Sequence, residues 1–245
     1  FLSGAPRRIG FQETREFAGL FYDEKILLPS NVSHAIDKNV FMIRSAFQST
    51  ESFEMPQLKS CHHDHKTALA LFRVHEFNLD NPILALAPAT RWPSKTWSVD
   101  FYVSVLEKVQ QQRPDVNIWL LGGEADRDMG KQIVKGCTTA NPKNFIGELN
   151  FGILIEVLRK SDAVLACDSG PMHLASVLGV PVVALFGPTS AELTGPYPRD
   201  KHTVISGSCK KRPCFEKECP LNETVCKKSV SADEVTNALL SYIEK

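Results

Sequence analysis

The feature that most constrains the fold is a change of rhythm near Asn81. From there the chain alternates short apolar runs with amphipathic stretches: "PILALAP" then "SVDFYVSVLEKVQQQ", "DVNIWLLGG" then "DRDMGKQIVKGC", "KNFIGEL" then "FGILIEVLRKS", "DAVLAC" then "PMHLASVLG", and last "PVVALFG". An apolar run without polar alternation suits a strand buried on both faces, and apolar residues three and four apart suit the helices that cover it. Alternation of this kind predicts a parallel sheet with helices on both faces, a Rossmann-like α/β domain over 76–245. The closing stretch "SADEVTNALLSYIEK" reads as an amphipathic helix with Ser231 as N-cap and Glu234 as its capping-box partner.

Residues 1–75 lack this rhythm. "GAPRRIGFQ" reads as a turn and a short strand. "SHAIDKNVFMI" reads as a helix capped by Ser33, with Ala35, Ile36, Val40 and Ile43 on one face. "STESFEMPQLKSCHHDHKTALALF" is polar and loses its period at Pro56. No self-contained core is visible in this stretch, so it is expected to be a partial segment and a linker.

Composition narrows the function classes. The 245 residues carry 28 basic and 28 acidic side chains, which gives no excess positive charge for nucleic-acid binding. No apolar stretch approaches the roughly 20 residues of a membrane-spanning helix, and Phe1-Leu2-Ser3-Gly4 lacks the charged and apolar regions of a secretory signal, so none is expected. The chain starts with Phe1 rather than Met, so a fragment or processed product is expected. An odd total of seven cysteines in a core-forming composition favours a reducing cytoplasm over a disulfide scaffold.

The densest chemical signal is "ACDSGPMHLASVLGVPVVALFGPTS", Ala166 to Ser190. In parallel sheets ligands sit outside the carboxyl ends of the strands, where this segment places two loops. Gly170 lets a ligand approach the backbone, and Pro171 suits a first helical turn whose free amides and dipole favour an anion such as phosphate. Asp168 would repel phosphate, so it accepts hydroxyl hydrogen bonds from a sugar or caps the helix. His173, one turn in, can donate to a phosphate oxygen. The competing reading makes Asp168 and Ser169 helix caps and His173 a half-buried structural histidine.

Two more loops open on that edge. "ATRWPSKTW" puts Thr90 and Lys95 between a strand and a helix, where a lysine can neutralise a diphosphate or simply be solvated. Glu124, after "NIWLLGG", is placed to take a ribose hydroxyl pair or to favour a helix start. Asp126-Arg127-Asp128 imitates a metal-binding D-x-D pair, but two positions apart on a helix the carboxylates diverge. "CHHDH", Cys61 to His65, reads as a solvated loop. Cys209, Cys214, Cys219 and Cys226 are separated by four, four and six residues. They can hold zinc or an iron–sulfur cluster, but lack the commoner C-x-x-C pairs, and partly free thiols, or a disulfide formed on isolation, are the favoured reading.

The pieces "PRRIGF", "APATRWPSKTW", "WLLGGEADRD", "NFIGELNFGILIEVLRKSDAVLACDSGPMHLASVLGVPVVALFGPTS" and "CFEKECPLNETVC" resemble the lipopolysaccharide heptosyltransferases of glycosyltransferase family 9. The resemblance runs through nearly the whole chain. It implies a GT-B architecture, with 1–75 the tail of an N-terminal acceptor domain plus linker and 76–245 the nucleotide-sugar-binding half. It implies inverting, metal-independent transfer of L-glycero-D-manno-heptose from ADP-heptose to the inner core of lipopolysaccharide, with no cofactor. Thr90 and Lys95 would contact the phosphates, with Lys95 stabilising the leaving group. Glu124 would take the adenosine ribose and Leu149 lie beside the adenine. Asp168, Ser169, Gly170 and His173 would surround the diphosphate and heptose, and Thr189 would line the same cleft. The family's general base, an Asp early in the N-terminal domain, has no match here, so the catalytic base is unknown and this polypeptide alone is expected to bind donor weakly and not to catalyse. The partners implied are the nucleotide-sugar donor and a lipid-linked saccharide acceptor, in the cytoplasm or at the cytoplasmic face of the inner membrane. A non-catalytic nucleotide-sugar-binding module and a thiol-ligated metal module are the alternatives.

Overall fold

The structure, a computed structural model, describes residues 4–14, 16–221 and 224–243. The chain divides into two compact units. One runs to Met55 and takes in Glu192–Thr194; the other runs from Pro56 to Ala191 and resumes at Gly195.

In the first unit, β1 (Ile9–Phe11) pairs in parallel with β2 (Glu24–Ile26), and α1 (Ala35–Phe47) follows. The Arg8 guanidinium and backbone amide both donate to the Asp23 carboxylate, tying the turn between the strands. The cap of α1 is His34, not Ser33: its Nδ1 accepts from the Ile36 amide at 3.2 Å. The buried side chain on α1 is Ala46, while Ile43 is 57% exposed, so the expected apolar face is only partly used.

The second unit begins with α2 (His62–Val74), which starts in the stretch read as a solvated loop. Cys61 caps it through sulfur, and Ala68 and Phe72 bury against the sheet. These two apolar residues, spaced at a helical interval, outweigh the polar first turn, and they place the division before the helix rather than after it. The elements that follow along the chain are β3 (Ile83–Ala87), α3 (Val99–Gln112), β4 (Asn117–Leu120), α4 (Arg127–Gly136), β5 (Lys143–Asn144), α5 (Phe151–Arg159), β6 (Ala163–Cys167), α6 (Gly170–Val177), β7 (Val182–Phe186), α7 (Ala191–Thr194, all but its first residue counted with the first unit), β8 (Thr203–Ser206), α8 (Val225–Lys228) and α9 (Ala232–Ile243).

All six strands are parallel, in the order β5-β4-β3-β6-β7-β8. The α/β Rossmann-like sheet expected from the sequence is thus present. Every residue of β3, β6 and β7 is buried, and successive side chains feed opposite cores. Leu84, Leu86, Leu165, Val183 and Leu185 pack against α3, α4 and α9 on one face. Ile83, Ala85, Val164, Val182 and Phe186 pack with α2, α5 and α6 on the other. Ser231 caps α9 by accepting from the Glu234 amide at 3.1 Å.

Chain order runs outward from β3 to one edge and then from β6 to the other. The direction of winding therefore reverses between β3 and β6, and at that point the following loops part to leave a crevice. Buried Tyr102 of α3 fixes both sides of it: its hydroxyl donates to the Pro88 carbonyl at 2.9 Å and stands 3.1 Å from Cys167 Sγ.

Candidate functional site

The carboxyl-end loops of β3, β4 and β6 enclose an open cleft of about 710 Å³. Thr90, Lys95, Glu124, Asp168, Ser169 and Gly170 all line it. Six of the nine residues that the sequence reading gave to donor binding are thus brought together around one cleft.

The centre of the site is an ion pair. Lys95 Nζ donates to Asp168 Oδ2 at 2.7 Å, and the Thr189 hydroxyl donates to the same oxygen at 2.8 Å. The lysine side chain is 15% exposed and the aspartate 8%, so this pair is screened far less than a surface one. The lysine ammonium also lies 4.4 Å from the centre of the Trp92 ring, which restricts it from the other side. The expectation that Asp168 caps the helix or offers itself to sugar hydroxyls is corrected on one point: its Oδ2 already serves Lys95 and Thr189. Thr189 itself is buried behind Asp168 and is not part of the cleft wall.

The N-cap residue of α6 makes no side-chain cap. Ser169 occupies the N-cap position, yet its hydroxyl donates backwards to the Cys167 carbonyl at 3.1 Å. The first-turn N–H groups of α6, which have no intrahelical acceptor, thus receive no hydrogen bond from the N-cap side chain, and they stand at the positive end of the helix dipole. A side chain added at Gly170 would meet nothing within 4 Å, so glycine here leaves open space in the cleft rather than relieving a protein contact. The reading of Asp168 and Ser169 as mere helix caps fails on this geometry.

Thr90 shapes its loop: its hydroxyl donates to the Trp92 carbonyl at 2.9 Å and receives the Trp92 amide at 3.1 Å. Glu124 is exposed on the opposite side of the cleft, just after β4. Its loop is held by Arg127, which donates to the Gly147 carbonyl at 2.6 Å. Gly147 has φ +78°, and a Cβ there would stand 2.6 Å from the Arg127 side chain, so only glycine fits this turn. Leu149, two residues on, packs against the sheet core and does not line the cleft. His173 is exposed on α6 and also lies outside the cleft wall. Asp126 accepts from the Gly123 amide at 3.0 Å, while exposed Asp128 faces Lys131 at 3.8 Å, so the D-x-D pair diverges as expected.

The region that sequence reasoning missed is the segment carrying the last four cysteines. Ser94 donates to the Glu216 carbonyl at 2.6 Å and its amide to the Lys217 carbonyl at 3.1 Å. Arg212 donates to the carbonyls of Gly187 at 2.6 Å and Thr189 at 3.2 Å, and the Phe215 amide to the Pro188 carbonyl at 3.0 Å. These partners are backbone groups, which no residue pattern announces. Cys209, Cys214, Cys219 and Cys226 do converge, around a void of about 20 Å³. Burial pushes the Cys226 thiol up, and the three neighbouring sulfurs add to that shift. Even so, among the described residues no three His, Cys, Asp or Glu side chains are grouped to hold a metal ion. No described helix is long and apolar enough to cross a membrane.

Known proteins give the family. The model of glycosyltransferase family 9 (heptosyltransferase) matches residues 1–225. The lipooligosaccharide heptosyltransferase 2 of Campylobacter jejuni subsp. jejuni serotype O:2 is 29% identical over 157 residues, covering 62% of this chain and 48% of that protein. The lipopolysaccharide heptosyltransferase 2 of Escherichia coli K12 is 24% identical over 210 residues, covering 80% and 58%. The chain thus spans about half the length of these curated relatives. Among solved structures, a family 9 glycosyl transferase from Veillonella parvula superposes with a TM-score of 0.82 at 19% identity, over 98% of this chain and 68% of that one. E. coli ADP-heptose lps heptosyltransferase II gives 0.74 at 19% identity, over 99% and 71%. With the family model matched over most of its length, the chain belongs to glycosyltransferase family 9, the heptosyltransferases.

Proposed function

We propose that this chain is the donor-binding part of a heptosyltransferase that moves L-glycero-D-manno-heptose from ADP-heptose to a lipid-linked saccharide of the lipopolysaccharide inner core. The observation that carries the reading is the uncapped amino end of α6 beside the Lys95–Asp168 pair, a cationic, anion-ready corner at the crevice of a Rossmann-like sheet. It suits a diphosphate. The names of two relatives support the donor and the process: one is an ADP-heptose lps heptosyltransferase, the other a lipopolysaccharide heptosyltransferase.

The reaction is inverting and metal-independent in this proposal. An acceptor hydroxyl attacks the anomeric carbon in line with departure of ADP. Negative charge grows on the bridging and terminal phosphate oxygens as that bond breaks. Lys95 and the α6 amides stabilise this charge from fixed positions, which is electrostatic catalysis. Asp168 holds Lys95 in place and is not assigned to deprotonate the acceptor. The base remains unassigned among the residues of this chain. Glu124 is the candidate partner of the ribose hydroxyls. The acceptor places the reaction at the cytoplasmic face of the inner membrane.

The test is a transfer assay on the full-length protein with ADP-heptose and heptose-deficient lipopolysaccharide, following the anomeric configuration by NMR and repeating the run with chelator. Transfer with inversion, insensitive to chelator, is expected. Retention, or loss of activity with chelator, contradicts the mechanism, and no transfer with any core acceptor contradicts the function.

A further inference from the structure

Lys95 can stabilise a leaving group only if its turn is rigid, and the turn is short: Pro93 to Lys95 form a single 3₁₀ turn between a cleft loop and α3. A second cation closes it. Lys227, on α8, sends its Nζ to the Pro93 carbonyl at 3.0 Å and to the Thr96 carbonyl at 2.7 Å, one on each side of Lys95. Its side chain is partly buried, and that burial lowers its basicity, so the lysine is kept there at a cost. Pro93 and Thr96 do not line the cleft, while Lys95 between them does and reaches Asp168.

We infer that Lys227 is a positioning residue for donor binding: it bridges the two ends of the turn that carries Lys95 and so fixes the Lys95 ammonium over the diphosphate. The inference rests on the assignment of Lys95 to the donor phosphates. A charged donor is suited to this task because a hydrogen bond from an ammonium to a carbonyl is stronger than a neutral one. The same segment holds the neighbouring loop through Arg212, so Lys227 and Arg212 both tie this cysteine-bearing segment to loops at the carboxyl ends of the strands.

The test is a double-mutant cycle on ADP binding, measured by calorimetry with wild type, Lys227→Met, Lys95→Met and the double variant. Lys227→Met is expected to weaken ADP about tenfold in the wild-type background and less than about twofold when Lys95 is already Met, because coupled residues fail to add. Lys227→Arg, which keeps the charge and the donors, is expected to recover most of the loss. Should Lys227→Met not fold, as judged by circular dichroism, Lys227→Gln replaces it in the cycle. Equal losses in both Lys95 backgrounds would mark Lys227 as a general support of the fold and overturn the inference. So would full affinity in Lys227→Met. If Lys95→Met itself binds ADP as wild type does, the reading of Lys95 fails first and takes the Lys227 inference with it.

Discussion

Two ion pairs in this chain have the same chemistry and different surroundings. Arg8 and Asp23 close the turn between β1 and β2 with side chains 25% and 42% exposed. Lys95 and Asp168 meet at the crevice of the six-stranded sheet with side chains 15% and 8% exposed. The first pair is wet and salt-screened, and it sets a local turn. The second is mostly buried, shares its carboxylate with Thr189, and lies in the wall of the cleft. Exposure alone decides that one is worth little to stability and the other is costly to break.

Breaking the buried pair gives the largest effect. Lys95→Met leaves a buried carboxylate with only the Thr189 hydroxyl, so the unfolding free energy should drop by about 3 kcal/mol, with denaturant titration as the measurement. ADP affinity should fall with it. Arg8→Met, the matched change in the wet pair, should leave the denaturant midpoint within error; an equal loss from the two variants would erase the contrast.

Removing the second donor probes how far the buried carboxylate depends on its neighbours. Thr189→Val takes one hydrogen bond from Asp168 and keeps the shape, so the expected loss is about 1–2 kcal/mol, smaller than for Lys95. A loss as large as that of Lys95→Met would make the threonine, not the lysine, the main partner.

A buried neutral group tests the same contrast by pH. His202 receives the Val182 amide on Nδ1 at 3.2 Å, which assigns the proton to Nε2, toward Ser176 Oγ. Burial lowers its basicity below the ordinary 6.5. The unfolded chain therefore binds a proton that the folded one resists, and stability should fall as pH drops below about 6.5. His202→Gln should flatten that slope in pH-dependent melting curves; an unchanged slope assigns it elsewhere.

The smallest effect belongs to the wet pair. The Arg8 guanidinium holds the Asp23 carboxyl down at about 2 from an ordinary 3.8. Its contribution is present above 3.8 and is lost as pH falls toward 2. Carboxyl chemical shifts at low salt should show that depressed titration, and added salt should move it back up.

The sheet was legible because its strands are apolar on both faces, so "PILALAP", "DAVLAC" and "PVVALFG" admit few other placements. The loops at the carboxyl ends of the strands followed from the parallel sheet, and with them six of the cleft residues. Three kinds of feature were not legible. The start of α2 was masked by Cys61, His62, His63 and Asp64, whose polarity hides the two buried residues further along. The cap of α1 fell to His34 because a histidine ring nitrogen can accept an amide as a serine hydroxyl does. The attachment of Arg212 and Lys227 to the cleft loops is made to backbone carbonyls, and side-chain pattern carries no trace of such bonds. Leu149 was placed by resemblance and His173 by its position one turn into the helix after Gly170; neither is in the cleft wall.

The central claim is that the amino end of α6, with Lys95, is the diphosphate site. The most direct measurement is an ADP titration followed at the backbone amides by NMR. The Gly170 and Met172 amides should shift and saturate together with the phosphorus signal of ADP, and Lys95→Met should weaken that shared curve. ADP that binds while those two amides stay still, or that never binds, would contradict the claim.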